Sequence, residues 1–328
     1  MTPMHPPRRG GHHKPGPHDR RPGGQAIIGD MSRFDPHAKE IAEVLGSRMA
    51  YVDHGDGDPI LLLHGNPTSS YLWRDVIPEL AGLGRCIAPD LIGMGDSDKL
   101  DSGPGAYRFS DHARYLEALL DSLGLDANVL LVAHDWGGPL AFDWGRRHSS
   151  AIRGVVYMET IVTPITWDDW PETARRIFQA MRSDAGEEII LEKNVFVERI
   201  LPSSVISPMT DETMGEYRRP YLEKGESRRP TLTWPREIPI DGEPADVTAV
   251  VKACADWLAT TDVPKLFINA DPGMILTGRQ RDVCRSWPNQ LEVTVPGLHF
   301  IQEDSGEAIG KAIASWLYET GLPASPTR

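Results

Sequence analysis

Ten residues carry the clearest chemical signal in the chain, Val129-Leu-Leu-Val-Ala-His-Asp-Trp-Gly-Gly138. Val129 to Ala133 are apolar without interruption, as in a strand buried on both faces. The polar pair His134 and Asp135 follows, then Trp136, Gly137 and Gly138, and Leu140 to Arg147 read as a helix. A strand, a sharp turn and a helix, with one polar residue at the apex and small residues around it, form the pattern of a nucleophile elbow. Such a turn lifts its apex side chain above the sheet edge, and only small neighbours let strand and helix approach that closely. The usual apex residue is Ser; here it is Asp135. A carboxylate, with a reference pKa of about 4, is already anionic at neutral pH. It can attack carbon directly and form an alkyl ester. A histidine is then free to activate the water that cleaves that ester. An Asp capping the following helix fits the same ten residues, and this stretch alone does not separate the two readings.

The elements that must position Asp135 follow from the rest of the chain. Arg48–His54 and Pro59–Leu63 are short apolar-rich runs separated by Gly55-Asp-Gly-Asp58, which predicts a hairpin. The second run ends in His64-Gly-Asn-Pro67. A helical pattern covers Tyr71–Ala81, a strand Arg85–Pro89, a loop Asp90–Asp98 and a helix capped by Ser110 and running to about Leu123. After the elbow, Arg153–Met158 reads as a strand ending at Glu159. A hairpin followed by β–α units predicts a largely parallel sheet.

The rhythm breaks from about Thr160 to Asp241. This segment holds helical runs at Glu172–Met181, Glu187–Asn194 and Asp211–Tyr217, Trp- and Pro-rich joints, and the stretch Arg228-Arg-Pro-Thr-Leu-Thr-Trp-Pro235. This reads as a helical insertion over the strand C-termini. A helix over Ala245–Ala259, a strand over Lys265–Asn269, a helix over Gly278–Ser286, a strand over Glu292–Val295 and a helix over Gly306–Tyr318 complete the pattern, with His299 in the last loop. The expected organisation is a disordered tail over 1–31, a core of 32–159 and 242–322, a helical cap over 160–241 and a short tail over 323–328. Asp135, Glu159 and His299 each follow a strand of one parallel sheet, at the edge where such sheets bind ligands.

Composition bounds the partners. The 328 residues suit one large α/β domain with an insertion, and 40% apolar and 25% charged residues are ordinary for a globular chain. A net charge of −13 argues against nucleic acid and anionic membrane as partners. No stretch reaches the roughly 20 apolar residues of a membrane span. The expected location is the cytoplasm, with the periplasm as the alternative. Cys86, Cys254 and Cys284 form no CxxC pair, and their odd count argues against a disulfide framework. The first 30 residues are rich in Pro, Gly, His and Arg and poor in apolar side chains. Arg8-Arg9 is a weak export signal, and a true start at Met31 is a competing reading of this tail.

The motifs together resemble the α/β-hydrolase family. The chain is most similar to the haloalkane dehalogenases, particularly the subfamily of the hexachlorocyclohexane-degrading enzyme of sphingomonads. The matching stretches are His64-Gly-Asn-Pro-Thr-Ser-Ser-Tyr-Leu-Trp-Arg74, Asp90–Lys99, His134-Asp-Trp-Gly137, Phe142-Asp-Trp144, Tyr157-Met-Glu159, Arg228–Arg236, Trp287-Pro-Asn-Gln290 and His299-Phe-Ile-Gln-Glu-Asp-Ser305. They run from about residue 45 to the end. The resemblance implies a mostly parallel eight-stranded sheet flanked by helices, with a helical cap after the sixth strand. It also implies a nucleophile at Asp135, a base at His299, an acid at Glu159 and halide-binding donors at Asn66 and Trp136. Neutral donors of these types suit a departing anion in a dry pocket without trapping it. The implied reaction is displacement of halide by Asp135, then hydrolysis of the alkyl ester, with no cofactor or metal. Its partners are a small halogenated hydrocarbon, halide and water, in a monomer or small homo-oligomer.

Other subfamilies place the acid after the strand that here ends Asn269-Ala-Asp271, so Asp271 competes with Glu159. Phe178, Phe196, Ile238, Met274 and Ile275 are the expected pocket lining, and small Ser204 is expected to widen the entrance. Epoxide hydrolases share the Asp-Trp pair and use two cap tyrosines, for which Tyr217 and Tyr221 are candidates, although Asn66 argues against that activity. Haloacid-type dehalogenases need Arg beside the nucleophile, and Trp136-Gly137-Gly138 offers none. A coelenterazine-type luciferase on the same scaffold and a non-catalytic binding protein are the remaining readings.

Overall fold

The computed structural model describes residue 1, residues 35–101 and residues 103–322. The tails expected over 1–31 and 323–328 lie outside these residues, apart from Met1.

The apolar runs become eight strands of one sheet: β1 (Lys39–Val44), β2 (Ser47–His54), β3 (Pro59–Leu63), β4 (Arg85–Pro89), β5 (Val129–Asp135), β6 (Ile152–Thr160), β7 (Lys265–Pro272) and β8 (Gln290–Gly297). Their order is β1-β2-β4-β3-β5-β6-β7-β8. β2 is antiparallel to both of its neighbours, β1 and β4, and the remaining pairings, from β4–β3 to β7–β8, are parallel. The central strands bury both faces. Leu61, Leu63, Leu131 and Ala133 point to one apolar layer, and Ile60, Leu62, Leu130 and Val132 to the other. Period-two alternation between two apolar layers is why these strands read as unbroken apolar runs.

Helices α1 (Ile77–Leu80), α2 (Phe109–Ser122), α3 (Gly137–Arg147), α4 (Glu172–Met181), α5 (Asp211–Arg218), α6 (Arg229–Glu237), α7 (Ala245–Thr260), α8 (Gly278–Arg285) and α9 (Ile301–Thr320) complete the description. α2, α3 and α7 cover the first layer; α1 and α9 cover the second.

Two expectations are corrected. The hairpin is β1–β2, turned at Leu45-Gly46, and β2 and β3 are not paired. Chain reversal at Gly55–Asp58 instead sends β3 to the far side of β4. A period-two pattern shows that two segments are strands, and their pairing partners are set by the whole sheet. The helix expected over Tyr71–Ala81 is a 3₁₀ turn at Ser70–Trp73 followed by α1, with Pro78 in the first turn of α1. Within the insertion, the stretch that begins at Arg228 forms α6, which takes Pro230 in its first turn and tolerates Pro235 near its end.

Between β6 and α7 no strand joins the sheet among the described residues. Ile165 and Ile240 close the neck of this insertion as an isolated bridge, and Asp241 N–H donates to the Ile165 carbonyl at 2.9 Å. Arginines organise it from within. Buried Arg228 donates to the carbonyls of Tyr221, Leu191, Glu192 and Leu222. Arg182 donates to those of Pro235, Arg236 and Ile238, which end α6. The guanidinium's several fixed donors satisfy carbonyls that short helices leave unpaired.

Candidate active site

Pairing of β3 with β5 runs up to Leu63 and Ala133, so the residues that follow these two strands are neighbours. Asn66 leaves β3 and Asp135 ends β5, and the Asn66 N–H donates to Asp135 Oδ1 at 2.6 Å. Asp135 has φ of 50°, a left-handed conformation that costs a non-glycine residue energy and that the surrounding packing must hold. Two glycines make room for it. A Cβ on Gly65 would strike the Asp135 carboxylate and the Trp136 nitrogen, and one on Gly138 would strike the Thr160 side chain. Thr160 Oγ1 donates to the Asp135 carbonyl at 2.5 Å and ties the elbow to β6.

His299 Nε2 lies 3.4 Å from Asp135 Oδ2, and its Nδ1 lies 3.4 Å from Glu159 Oε2. Glu159 is fully buried and, like Asp135, has positive φ (36°). Its carboxylate accepts backbone N–H bonds from Met274, Ile275 and Leu276 at 3.1, 2.8 and 3.2 Å. These three donors, with His299, satisfy a charge that burial would otherwise make costly. Asp271, the competing acid, is exposed at the end of β7. The β7–α8 loop thus turns three backbone N–H groups toward Glu159.

Burial disfavours a charge on His299, but the hydrogen bonds and charges of Asp135 and Glu159 outweigh it and raise its pKa to about 9. Burial would also raise the Asp135 pKa, yet His299 and the Trp136 N–H hold it below the ordinary carboxylate value. Both shifts favour the charged pair, a protonated His299 beside an ionised Asp135, in the resting site.

Trp136, Asn66, Asp135 and His299 open onto a cavity of about 360 Å³, within the range of small-molecule sites. Phe178, Phe196, Ile238, Met274 and Ile275 line it. Ser204 also lines it, but it is 2% exposed and its carbonyl is held by the His299 and Phe300 N–H groups, so it packs against the His299 segment rather than widening an entrance. The Trp136 indole is stacked on Trp234 (4.5 Å between centroids), which is stacked in turn on His112 (4.2 Å).

Several supporting residues lack a sequence signal. His134 Nε2 meets the His299 carbonyl at 2.8 Å, and burial pushes its pKa down to about 3, so it stays a neutral donor. His64 Nε2 accepts from the Leu91 N–H at 3.0 Å, leaving Nδ1–H for the Gly65 carbonyl at 2.9 Å. Both stood in motifs already singled out, yet a motif does not say which of its residues is a scaffold. The N–H groups around Glu159 are invisible in sequence because every residue but proline has one.

The two tyrosines of the insertion, Tyr217 and Tyr221, do not line the cavity. Tyr217 is buried and donates to Glu303, and Tyr221 is buried against Lys99.

A parallel sheet with an acidic residue on a strand–turn–helix elbow, a histidine after the last strand and a helical insertion above defines an α/β-hydrolase. Residues 58–192 match the α/β-hydrolase fold family. The chain is 58% identical over 280 residues to a haloalkane dehalogenase of Sphingobium indicum, covering 85% of this chain and 95% of that protein. It is 54% identical to one of Mycolicibacterium smegmatis, covering 88% and 94%. The crystal structure of haloalkane dehalogenase DbeA from Bradyrhizobium elkani superposes with a TM-score of 0.82 at 42% identity, covering 87% and 98% of the two chains. The chain belongs to the haloalkane dehalogenases. It is a hydrolase of carbon–halogen bonds, with a halogenated substrate and a halide product. No helix among the described residues is long and apolar enough to cross a membrane.

Proposed function

We propose that in this carbon–halide hydrolase Asp135 is the nucleophile, His299 the base, Glu159 the acid that orients it, and Asn66 and Trp136 the halide donors, beneath a cap formed by residues 160–241. The observation that carries the reading is the division of labour between the Asp135 oxygens. Oδ1 is held by the Asn66 N–H, and Oδ2 is the oxygen beside His299. Oδ2 attacks the carbon, the carbon–halogen bond breaks, and the halide leaves with the bonding pair toward the Trp136 and Asn66 side chains. Oδ1 becomes the ester carbonyl oxygen, already in contact with the backbone donors that stabilise the oxyanion of the next step.

Alkylation also readies the base. An ester carries no charge, so it removes the Asp135 contribution that holds the His299 pKa near 9. His299 then loses its proton to solvent more readily and accepts one from water. The water oxygen bonds to the ester carbonyl carbon, the acyl carbon–Oδ2 bond breaks, and the alkoxide takes the proton from His299. Alcohol leaves, and net one proton is released.

Halide release from chlorinated, brominated and iodinated alkanes tests the assignment. We expect turnover without added metal or cofactor, and no light on adding coelenterazine. Failure on every haloalkane, with turnover of an epoxide, would overturn it. Tyr217 and Tyr221 give an epoxide oxygen no donor in the cavity, which counts against that alternative.

Glu159→Gln should slow ester hydrolysis about 10²-fold or more, through loss of the charge that supports the imidazolium, and Asp271→Asn should change it less than about threefold. Rapid-quench measurement of ester decay separates them. A larger effect at Asp271 would move the acid to β7.

We infer a cytoplasmic protein, a monomer or small homo-oligomer. Its three cysteines are buried and unpaired, which fits a reducing compartment.

A further inference from the structure

The two halves of the triad are held by different parts of the molecule. Asp135 and Glu159 sit on β5 and β6, and the elbow bonds run to β3 and β6. The histidine loop is instead embedded in the insertion. The N–H groups of His299 and Phe300 both donate to the Ser204 carbonyl at 3.1 Å. Phe300 is fully buried, and its cluster consists largely of insertion residues, Val197, Leu201, Val205, Met214 and Tyr217 among them. One turn further on, Asp304 accepts from the Ile206 N–H at 3.0 Å and the Ser207 N–H at 3.1 Å. Its neighbour Glu303 accepts from Tyr217 Oη at 2.5 Å while both of its oxygens pair with Arg74 at 2.6 Å. On the sheet side, His299 follows the end of β8, whose Gly297 carbonyl accepts from the Gly273 N–H at 3.0 Å, and His134 bonds the His299 carbonyl itself.

We propose that Asp304, Glu303 and Tyr217 form a clasp through which the insertion positions His299 for the hydrolytic half of the reaction, leaving the alkylation half to the sheet. They are positioning residues: none touches the reacting atoms, and each acts through the His299–Phe300 segment. Asp135 needs no proton removed before it attacks, so loosening the histidine loop leaves that step intact. The base must meet a water within hydrogen-bond reach, and a misplacement of about 1 Å can cost on the order of 10²-fold. The clasp therefore sets how fast the ester turns over, independently of how well the cavity binds substrate.

The proposal rests on the reading of Asp135 as the ester-forming residue. That premise is tested separately by His299→Phe, which removes the base and must accumulate the ester whatever the clasp does. The clasp itself is tested in Asp304→Ala and Tyr217→Phe by single-turnover halide release and by ester decay, with 1-bromobutane as the probe. The expected result is a halide burst within about twofold of the parent and ester decay slowed about 10- to 100-fold, with a butyl adduct on Asp135 visible by intact-mass spectrometry. Asp304→Asn keeps a side-chain acceptor for both N–H groups and should recover most of the decay rate. If Asp304→Ala does not fold, Tyr217→Phe carries the same comparison with the loss of one hydroxyl. Equal slowing of burst and decay would reduce the clasp to general scaffolding and overturn the proposal, as would unchanged decay in both variants.

Discussion

Asp135→Asn is expected to abolish steady-state halide release, by at least about 10⁴-fold, when assayed on freshly prepared protein. The substitution is nearly isosteric. It keeps an oxygen to accept the Asn66 N–H and fits the space that Gly65 leaves, so the fold and the cavity should survive. What it removes is the anion, and a neutral amide is a poor nucleophile at saturated carbon. It also removes the charge that raises the His299 pKa, so the imidazole of the variant should titrate below about 9. Histidine NMR reads that shift without any turnover. Slow deamidation can restore trace activity with time, which makes the age of the sample a control. Full activity in fresh protein would reject Asp135 as the nucleophile.

Replacing His299 should split the reaction in two. In His299→Phe the attacking carboxylate is intact, so one equivalent of halide leaves per site and turnover then stops, hydrolysis falling by the 10² to 10⁴ or so that a general base supplies. After incubation with 1-bromobutane, intact-mass spectrometry should find one added butyl group, and peptide mapping should place it on Asp135. A variant that releases no halide and gains no mass would mean that His299 acts before the ester forms. In the parent enzyme the same logic fixes the sign of the pH dependence. Asp135 stays ionised to below its ordinary value, so the burst should be flat from about pH 5 to 8. Ester decay needs neutral His299, whose pKa in the alkylated state lies below the resting value of about 9, so decay should slow as pH falls through that pKa. Stopped-flow and quench measurements across the range separate the limbs.

The sequence by itself determined the elements that bury two faces and the residue types that do chemistry. An unbroken Val129–Ala133 run can only be a central strand or a buried helix segment, and the glycines after Asp135 decide for a strand and a tight turn. Asp135, Trp136, Asn66 and His299 were legible because each stands in a local motif whose chemistry needs that residue type.

Tertiary structure alone decided the rest. Glu159 and Asp271 both end strands next to each other in the sheet, and sequence ranks them only by motif. Three backbone N–H groups from residues 274–276 donate to the buried Glu159 carboxyl group, which supports the proposal of Glu159 over the exposed Asp271, and backbone donors leave no trace in a sequence. The β1–β2 hairpin was misassigned because strand pairing is a property of the whole sheet, whereas periodicity is a property of each strand. The attachment of His299 to the insertion depends on contacts between residues 204 and 299 and between residues 217 and 303. Only a folded chain brings such distant positions within hydrogen-bond reach.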